Sequence, residues 1–552
     1  REHTPLDPAA TETLARRLAA SGPTVVAVSL LHSWRNPAHE RQVRDVFARI
    51  APALTLVLSS DVLSELREYE RTVVTCLNAA LLPLMRAHLA QLAAGVRAPL
   101  WLMKSSGGLS PAATALAQPL ATALSGPSAA VVGSAALART LGIDAAISLD
   151  VGGTSTDVAL IHHGRYAVTT AAEIDGHPLK TPALDVLSIG AGGGSIARMG
   201  ADRRWHVGPS SAGAIPGPVC YGQGGVQPTL TDAHCVLGRL PPALLDGALP
   251  LDVARAHAAL AAFGAARGLD ATQSALGVLR IAAHAMCGAV RRVCVRRGHD
   301  PRTHTLFALG GAGPLHAAEL AALLGIPTVI VPLRPGLAAA EGLLHADHRE
   351  DGVQTFPARE AALDAAAIDA AFSALEARVA ATAGATDPAW RLERSADLRY
   401  AGMSAELTVP FAPGAVTTAT LAAALDGFHA LYALANGQSY RGREQVELVN
   451  LRVAAIRPVA APPRTPWRVT GSAQPLATRA VRFLDEAAAI DTPVYRRDTL
   501  PAGTTLVGPP VIEQPDSTTL VPPACTVLVD DWGNLHLDVP RARAAASPIR
   551  ED

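Results

Sequence analysis

The sequence predicts a mixed α/β protein that ends in a strand-rich region, and three observations support this fold class. Helical and strand patterns alternate over residues 11–59, at a spacing typical of a mostly parallel sheet. A strand, a glycine turn and a helix follow one another over residues 305–324. After one more alanine-rich helix at 366–383, the remaining segments are short, alternating and separated by proline and glycine. Such segments indicate antiparallel strands.

Length and composition limit the kinds of partner. The chain has 552 residues, of which 49% are hydrophobic, and this predicts several domains, which we place at 1–125, 126–346 and 347–552. A net charge of −1 gives no support to a nucleic-acid partner or a membrane surface. No apolar run has the length expected of a membrane span, and the six cysteines form no C-x-x-C pair. We therefore expect a cytoplasmic protein with reduced thiols.

The most informative stretch is ISLDVGGTSTDVALI, residues 147–161. Two apolar runs flank a pair of glycines, so the pattern predicts a strand, a tight turn and a second strand. Glycine lets backbone N–H groups converge on an anion, and nearby carboxylates can hold Mg²⁺. The stretch therefore predicts a nucleotide-phosphate loop, and an ordinary β-hairpin turn is the alternative. The candidate residues are Asp150, Gly152, Gly153, Thr154, Thr156 and Asp157.

A second glycine-rich segment, SIGAGGGSIA, follows at residues 188–197. We expect Gly192, Gly193 and Gly194 to bring the backbone close to a substrate, with Ser195 capping a helix behind them. A flexible loop is the alternative. Further along, Asp232 is a candidate for another carboxylate in the site, and a plain helix cap is an equally good interpretation.

A third glycine turn, Gly310–Gly313, stands between a predicted strand and a predicted helix. A turn of this kind directs backbone donors at a ligand, so Gly310, Gly311 and Gly313 are candidate binding residues. A dinucleotide-binding fold is the rival interpretation, but no acidic residue follows the next strand. Near the C-terminus, the polar run 516–519 could be a site, although a polar strand edge explains it better.

Several of these stretches resemble one family. DVGGTSTD, GAGGGSIA, PTLTDA and FALGGAGPLHA are similar to motifs of the A subunits of hydantoinases and 5-oxoprolinases, to which acetone carboxylase β subunits also belong. The resemblance implies a two-lobed, ribonuclease-H-like fold of the actin, sugar-kinase and heat-shock ATPase type, with a β-rich C-terminal domain. Ser106 and His234 stand where the family usually has asparagine. An earlier phosphate loop of the family is missing before Arg1, so we expect an N-terminally truncated lobe.

The resemblance also implies an activity. It is the ATP-dependent hydrolysis of a cyclic amide such as hydantoin or 5-oxoproline, through phosphorylation of the carbonyl oxygen. In that scheme Asp150 and Asp157 hold Mg²⁺ or orient the attacking oxygen, and these two with Asp232 form the catalytic set. The Gly152–Thr154 turn holds the phosphates, and the Gly310–Gly313 turn holds the adenosine. A B-type subunit is the implied partner. Two alternatives remain open, which are the β subunit of an ATP-dependent ketone carboxylase and a non-catalytic nucleotide-binding module.

Overall fold

The computed structural model describes residues 4–174 and 176–540, which divide into two compact units. The first unit comprises the residues up to Ser128, Val168–Leu184 and Ala346–Ala460. The second comprises Ala129–Ala167, Asp185–His345 and the residues from Ala461 onward. Both units are therefore built from separate stretches of the chain.

The described residues form thirteen α-helices: α1 (Pro8–Ser21), α2 (Ala38–Ile50), α3 (Ser59–Val62), α4 (Glu68–Gly95), α5 (Ala112–Ala117), α6 (Ser125–Leu141), α7 (Leu230–Val236), α8 (Val253–Gly264), α9 (Ala271–Arg296), α10 (Gly313–Leu324), α11 (Ala338–Leu343), α12 (Ala365–Ala383) and α13 (Thr418–Asn436).

The strands of the same residues are β1 (Val25–Val28), β2 (Thr55–Leu58), β3 (Trp101–Met103), β4 (Leu109–Pro111), β5 (Ala145–Val151), β6 (Thr156–His162), β7 (Arg165–Tyr166), β8 (Val168–Thr169), β9 (Glu173–Ile174), β10 (His177–Pro178), β11 (Ala183–Leu184), β12 (Val186–Ile189), β13 (Ser195–Met199), β14 (Trp205–Ser211), β15 (Ala243–Leu244), β16 (Leu249–Pro250), β17 (Thr305–Leu309), β18 (Thr328–Val331), β19 (His348–Arg359), β20 (Arg391–Tyr400), β21 (Leu407–Phe411), β22 (Val446–Arg457), β23 (Ala477–Val481), β24 (Ile490–Arg496), β25 (Thr505–Val507), β26 (Val511–Gln514), β27 (Ser517–Leu520), β28 (Thr526–Val529) and β29 (Leu535–Asp538).

The first unit centres on a six-stranded sheet in the order β21-β20-β22-β19-β4-β3. Helices α12 and α13 cover it, and Phe372, Tyr400 and Phe428 are fully buried in the core between them. A separate parallel pair, β1 and β2, packs against α4. By length and composition α4 could cross a membrane, which the sequence analysis did not anticipate. Its buried residues Val74 and Leu82 belong instead to a core cluster of this unit.

A buried ionic network crosses the main sheet of the first unit. Arg452 on β22 donates to Asp397 at 2.7 Å and to Glu65 at 2.8 Å. Asp397 also accepts from the Asn450 amide and the Thr408 hydroxyl. Burial alone would raise the pKa of the Asp397 carboxyl, but Arg452 and these donors lower it. The network is thus held together by paired and hydrogen-bonded charges.

The second unit is organised around a nine-stranded sheet whose main path is β12-β6-β5-β17-β18-β29-β28-β25, with β7 beside β6. Strands β5, β17 and β18 run parallel. The parallel pairing predicted for residues 11–59 is found in β1 and β2 of the first unit. Both faces of β5 are buried: Ile147 and Leu149 belong to the core cluster with α9, and Ala146 to the cluster with α6. A parallel strand covered on both faces needs such a continuous apolar run.

The residues of the predicted C-terminal domain, 347–552, are divided between the two compact units. Its first half supplies β19, β20, β21 and β22 to the sheet of the first unit, whereas β25, β28 and β29 complete the sheet of the second. The reason is strand pairing between distant stretches, since β29 pairs with β18 and β19 pairs with β4. The tail at 541–552, which the sequence suggests is polar and frayed, lies outside the described residues.

Two further local predictions need correction. Ser195 does not cap a helix; it begins β13, whose residues pair with β14. Helix α13 lies in a region that the sequence pattern suggested was all strand. Its N-terminus is set by a capping box between Thr417 and Thr420. The predicted hairpin at 147–161, by contrast, is confirmed as the antiparallel pair β5–β6.

Candidate functional site

The β5–β6 hairpin places two carboxylates side by side. Asp150 and Asp157 are direct cross-strand partners. Asp150 is the last residue but one of β5, and Asp157 is the second residue of β6. The turn closes when the Gly152 N–H donates to the Ser155 carbonyl at 3.1 Å. Since neighbouring residues of β5 are buried in the core, the chain has no freedom to swing Asp150 away from Asp157.

These two carboxylates have no cationic partner among the described residues. Burial, and then the charge of Asp157, raises the pKa of Asp150 to about 6. Burial also raises the pKa of Asp157, although the Ser188 and Ser155 hydroxyls oppose the shift. Ser155 donates to Asp157 Oδ2 at 3.1 Å, while Oδ1 is buried and accepts no hydrogen bond. Two adjacent, underpaired carboxylates form a site that gains from a bound cation.

The second glycine-rich segment packs directly on this turn. Gly193 N–H donates to the Gly152 carbonyl at 2.9 Å, and Gly194 N–H donates to the Gly153 carbonyl at 2.7 Å. A Cβ on Gly192 would lie 2.7 Å from the Thr154 nitrogen and 2.8 Å from the Gly152 oxygen. Glycine at 192 is therefore required by contact with the protein's own backbone.

The third glycine turn lies at the carboxyl end of β17, next to the carboxyl end of β5. Leu309 pairs with Asp150, and the Ala312 N–H donates to the Val151 carbonyl at 3.1 Å. Gly310 has a φ of +78°, and a Cβ there would lie 2.4 Å from Asp150 Oδ1. The turn thus leads into α10 with the helix N-terminus beside the carboxylate pair, where a helix favours anions.

The three glycine segments surround one cavity of about 870 Å³ in the second unit. Gly152, Gly153 and Thr154 line it from the hairpin, and a Cβ on either glycine would face open space. The other lining residues include Gly193, Gly194, His234, Gly311, Asp516 and Ser517. A cavity of this size, with glycine turns on one wall, can accommodate a nucleotide-sized ligand.

The run 516–519, which the sequence favoured as a polar strand edge, contributes a wall of this cavity. Asp516 accepts from the Gly336 N–H at 2.9 Å, and the Ser517 hydroxyl donates to the Gly311 carbonyl at 3.2 Å. The Ser517 bond attaches the β26–β27 connection to the Gly310–Gly313 turn, and the Asp516 bond attaches it to the segment that follows β18. Only the clustering of polar residues between two strands could have signalled this position.

A buried histidine pair lies at the same cavity and was not predicted as part of the site. His234 Nε2 and His316 Nε2 are 3.1 Å apart, so one ring donates to the other. Burial lowers the pKa of His234 well below its usual value and that of His316 to about 3, and the Arg239 charge acts in the same direction. The pair is therefore neutral at physiological pH, and His234 Nδ1 is buried without a partner.

Three predicted site residues have other roles. Asp232 is fully buried, and its two oxygens accept from the Val219, Cys220 and Thr229 N–H groups and the Thr229 hydroxyl. These contacts favour the helix-cap alternative. Thr156 is buried and donates to the Ala191 carbonyl. Ser195 is buried and accepts from the Gly192 N–H at 2.8 Å. All three position the loops rather than face the cavity.

A larger cavity, of about 1190 Å³, lies in the first unit. The carboxylates that line it are each paired with a basic side chain, as in the contact of Asp351 with Arg349 at 2.7 Å. The Ser106 hydroxyl also donates to Asp351 at 3.0 Å. Because the carboxylates of the larger cavity are already paired, the smaller cavity is the better candidate: the hairpin turn that lines it lies beside the underpaired Asp150 and Asp157.

The glycines provide a matched test of the site. We expect Gly153→Ala to weaken binding of an anionic ligand by about tenfold or more while leaving the Tm unchanged, since its methyl group enters the cavity. We expect Gly192→Ala to lower the Tm, since its methyl group collides with backbone atoms of Gly152 and Thr154. Nucleotide titration and thermal melts of both variants separate the two effects. Equal loss of Tm in both would show that the hairpin glycines are purely structural.

Comparisons with known proteins give a consistent result. Residues 71–352 match the family model described as hydantoinase/oxoprolinase, residues 356–539 its C-terminal domain and residues 1–51 its N-terminal region. An uncharacterized protein of Methanocaldococcus jannaschii is 33% identical over 97% of this chain and 80% of its own length. Caprolactamase subunit alpha of Pseudomonas jessenii is 32% identical over 97% of this chain and 79% of its own length. 5-Oxoprolinase 1 of Arabidopsis thaliana is 28% identical over 98% of this chain and 44% of its own length.

Two solved structures are similar along nearly the whole chain. The ATP-dependent caprolactamase of Pseudomonas jessenii superposes with a TM-score of 0.82 and 31% identity, covering 98% of this chain and 80% of that one. The nucleotide-free structure of acetone carboxylase gives a TM-score of 0.77 and 27% identity, covering 97% and 79%. Both similarities extend over the two units described above.

Proposed function

Because the chain belongs to the hydantoinase/oxoprolinase family, we propose that it is the ATP-binding subunit of an enzyme that hydrolyses a cyclic amide. The observation that carries this proposal is the Asp150–Asp157 pair, which lies underpaired at the base of a glycine turn that lines a cavity. The similarity to a caprolactamase and to a 5-oxoprolinase supports a lactam as the substrate.

The residues present fit Mg²⁺ and a nucleotide. Asp157 Oδ1 has no hydrogen-bond partner, and burial together with the charge of Asp157 raises the pKa of Asp150. A divalent cation would satisfy the free oxygen and offset the repulsion between the two carboxylates. The Gly152 and Gly153 backbone faces space that a Cβ would fill. In this proposal Asp150 and Asp157 hold Mg²⁺, Gly152–Thr154 contact phosphate oxygens, and Gly311 lies beside the adenosine. The actin-like fold class stays a prediction that this arrangement supports.

The separate roles of ATP and of the protein's residues follow from the chemistry of amides. A lactam carbonyl is a poor electrophile, because nitrogen donates electron density into it. When bound, ATP supplies the phosphoryl group that turns the carbonyl oxygen into a leaving group. The chain's own residues position the reactants: the hairpin fixes the carboxylates, and the Gly193 and Gly194 bonds fix the hairpin. His234 adds a neutral hydrogen-bonding atom at the cavity.

We propose a B-type subunit as partner, since relatives are named as subunits: caprolactamase subunit alpha, and the acetone carboxylase beta subunit. The second candidate function is the corresponding subunit of an ATP-dependent ketone carboxylase. The structural similarity to acetone carboxylase favours it. We place either activity in the cytoplasm, in keeping with six free thiols.

The test is ADP release by the chain with its B-type partner, measured with a panel of lactams that includes hydantoin, 5-oxoproline and caprolactam. Lactam-dependent ADP release with ring opening is the expected result. Release that needs a ketone and bicarbonate instead would replace the proposal with the carboxylase. Nucleotide binding without turnover under either condition would identify a non-catalytic module. Absence of nucleotide binding would refute all three.

A further inference from the structure

Three histidines of the second unit converge at the end of the sheet away from the cavity. His162 is the last residue of β6, and His299 and His304 lie in the connection from α9 to β17. The carboxylate pair is at the opposite end of β6, five residues or about 17 Å along the strand from His162. The cluster is therefore separate from the candidate site.

The spacing of the imidazoles matches that of metal ligands. His162 Nε2 and His304 Nε2 are 3.4 Å apart. Two nitrogens that each lie about 2.0–2.1 Å from a tetrahedral ion are separated by about 3.3–3.4 Å. One ligand nitrogen from each of the three rings lies within 4.8 Å of the others. The pair thus has the separation that a shared ion requires.

The protonation of the rings also suits coordination. His304 Nδ1 donates to the Asp300 carbonyl at 2.9 Å, which leaves the Nε2 lone pair directed away from that bond. A histidine ligand is commonly oriented in this way by a carbonyl behind it. His304 therefore presents Nε2 as its ligand atom, on the side where His162 lies.

We propose that His162, His299 and His304 form a binding site for a transition-metal ion of the zinc class. Three imidazoles with a fourth position open to water are a known ligand set for Zn²⁺, and imidazole also suits Co²⁺ and Ni²⁺. His299 stacks on His162 with centroids 4.0 Å apart, and its half-exposed side chain rotates to complete the site. The ion links the end of β6 to the start of β17, two strands that both flank β5.

The site can be tested on the untagged 552-residue chain after treatment with a chelator. Zn²⁺ is titrated calorimetrically in excess Mg²⁺, which occupies the carboxylate pair, and Co²⁺ is followed by its visible absorption. We expect one ion per chain and the absorption bands of tetrahedral Co²⁺. His162→Ala and His299→Ala should each weaken binding by at least about tenfold, since loss of even an outer partner of a ligand costs about 10–100-fold.

Two controls make the outcome decisive. His257 is an exposed histidine on α8, and the His257→Ala protein should bind Zn²⁺ as the wild type does. His163→Ala, next to His162 but paired with Asp144 at 3.3 Å, should also retain binding. His299 is the safer ligand to replace because its side chain is half-exposed, whereas replacing the buried His304 could unfold the protein. Absence of stoichiometric Zn²⁺ binding, or equal affinity in the wild type and both ligand variants, would overturn the proposal.

Discussion

Asp150→Asn is expected to reduce nucleotide turnover by at least about a thousandfold, because the contact of a metal ion with developing charge contributes several kcal/mol to catalysis. The substitution keeps the volume of a residue that lies at the end of β5 beside the Gly310 turn. It removes one of the two charges that hold Mg²⁺ in the proposed site. The measurement is ADP release at saturating substrate.

The same substitution is expected to leave the metal-free protein as stable or more stable at neutral pH. The folded-state pKa of Asp150 is raised to about 6, above the ordinary value near 3.9, so the folded protein holds a proton there that the unfolded chain releases. The free energy of unfolding therefore falls as the pH rises from about 4 to about 6, and at pH 7 the full cost of ionising Asp150 in the folded protein is present. Removing the charge should recover up to about 3 kcal/mol.

Asp232→Asn is the matched control for this prediction. Its oxygens accept four hydrogen bonds from the protein, and an amide NH₂ group would face donors. We therefore expect Asp232→Asn to lower the Tm, the opposite of the effect at Asp150. A well-folded Asp150→Asn protein with wild-type turnover would refute the proposed metal ligand.

Asp397→Ala is expected to destabilise the first unit by about 3–5 kcal/mol, the usual cost of leaving a buried charge without its partner. Arg452 would retain only Glu65, and the Asn450 amide and the Thr408 hydroxyl would lose an acceptor. For a unit of this size the Tm should fall by about 6–20 °C. Scanning calorimetry is the appropriate measurement, because two units need not unfold in one transition.

An exposed ion pair supplies the comparison. Asp426 contacts Arg441 with both side chains more than half exposed. Asp426→Ala should change stability by no more than about 1 kcal/mol. If Asp397→Ala and Asp426→Ala melt alike, the buried network contributes no more than a surface pair, and the argument from burial fails.

Local sequence patterns predicted the elements on which the candidate site stands. The β5–β6 hairpin was predictable because two apolar runs and a glycine pair lie within fifteen residues, and both strand and turn signals are local. The order of β17, its glycine turn and α10 was predictable for the same reason. Asp150 and Asp157 are opposite each other because a hairpin turn fixes the register of its strands.

Other parts of the site depend on contacts that no local pattern encodes. The Asp516 turn reaches the cavity through bonds to Gly336 and Gly311, both far away in sequence. The pairing of His234 with His316 joins α7 to α10 in the same way. Ser195 carries a side chain typical of a helix cap, but its neighbours pair with β14, and tertiary contacts decide between helix and strand in so short a segment.

Helix α13 was missed for a different reason. Gly427 interrupts an otherwise alanine-rich and leucine-rich stretch, and glycine weakens a helix prediction by about 1 kcal/mol. In the structure a Cβ at this position would lie 3.2 Å from the Val409 side chain on β21. The glycine therefore serves close packing of helix on sheet, which the sequence pattern alone does not distinguish from a break.

The pairing of β18 with β29 also has a consequence for biosynthesis. Val331 pairs with Leu535, so at about 5–20 residues per second the ribosome needs about 10–40 s to make the about 200 residues between them. Throughout that interval β18 has an open edge, which can pair with another nascent chain. The Asp516 turn is synthesised in the same late stretch. The nascent protein therefore cannot complete its cavity, or be protected by a ligand bound there, until the residues around Asp516 have been made.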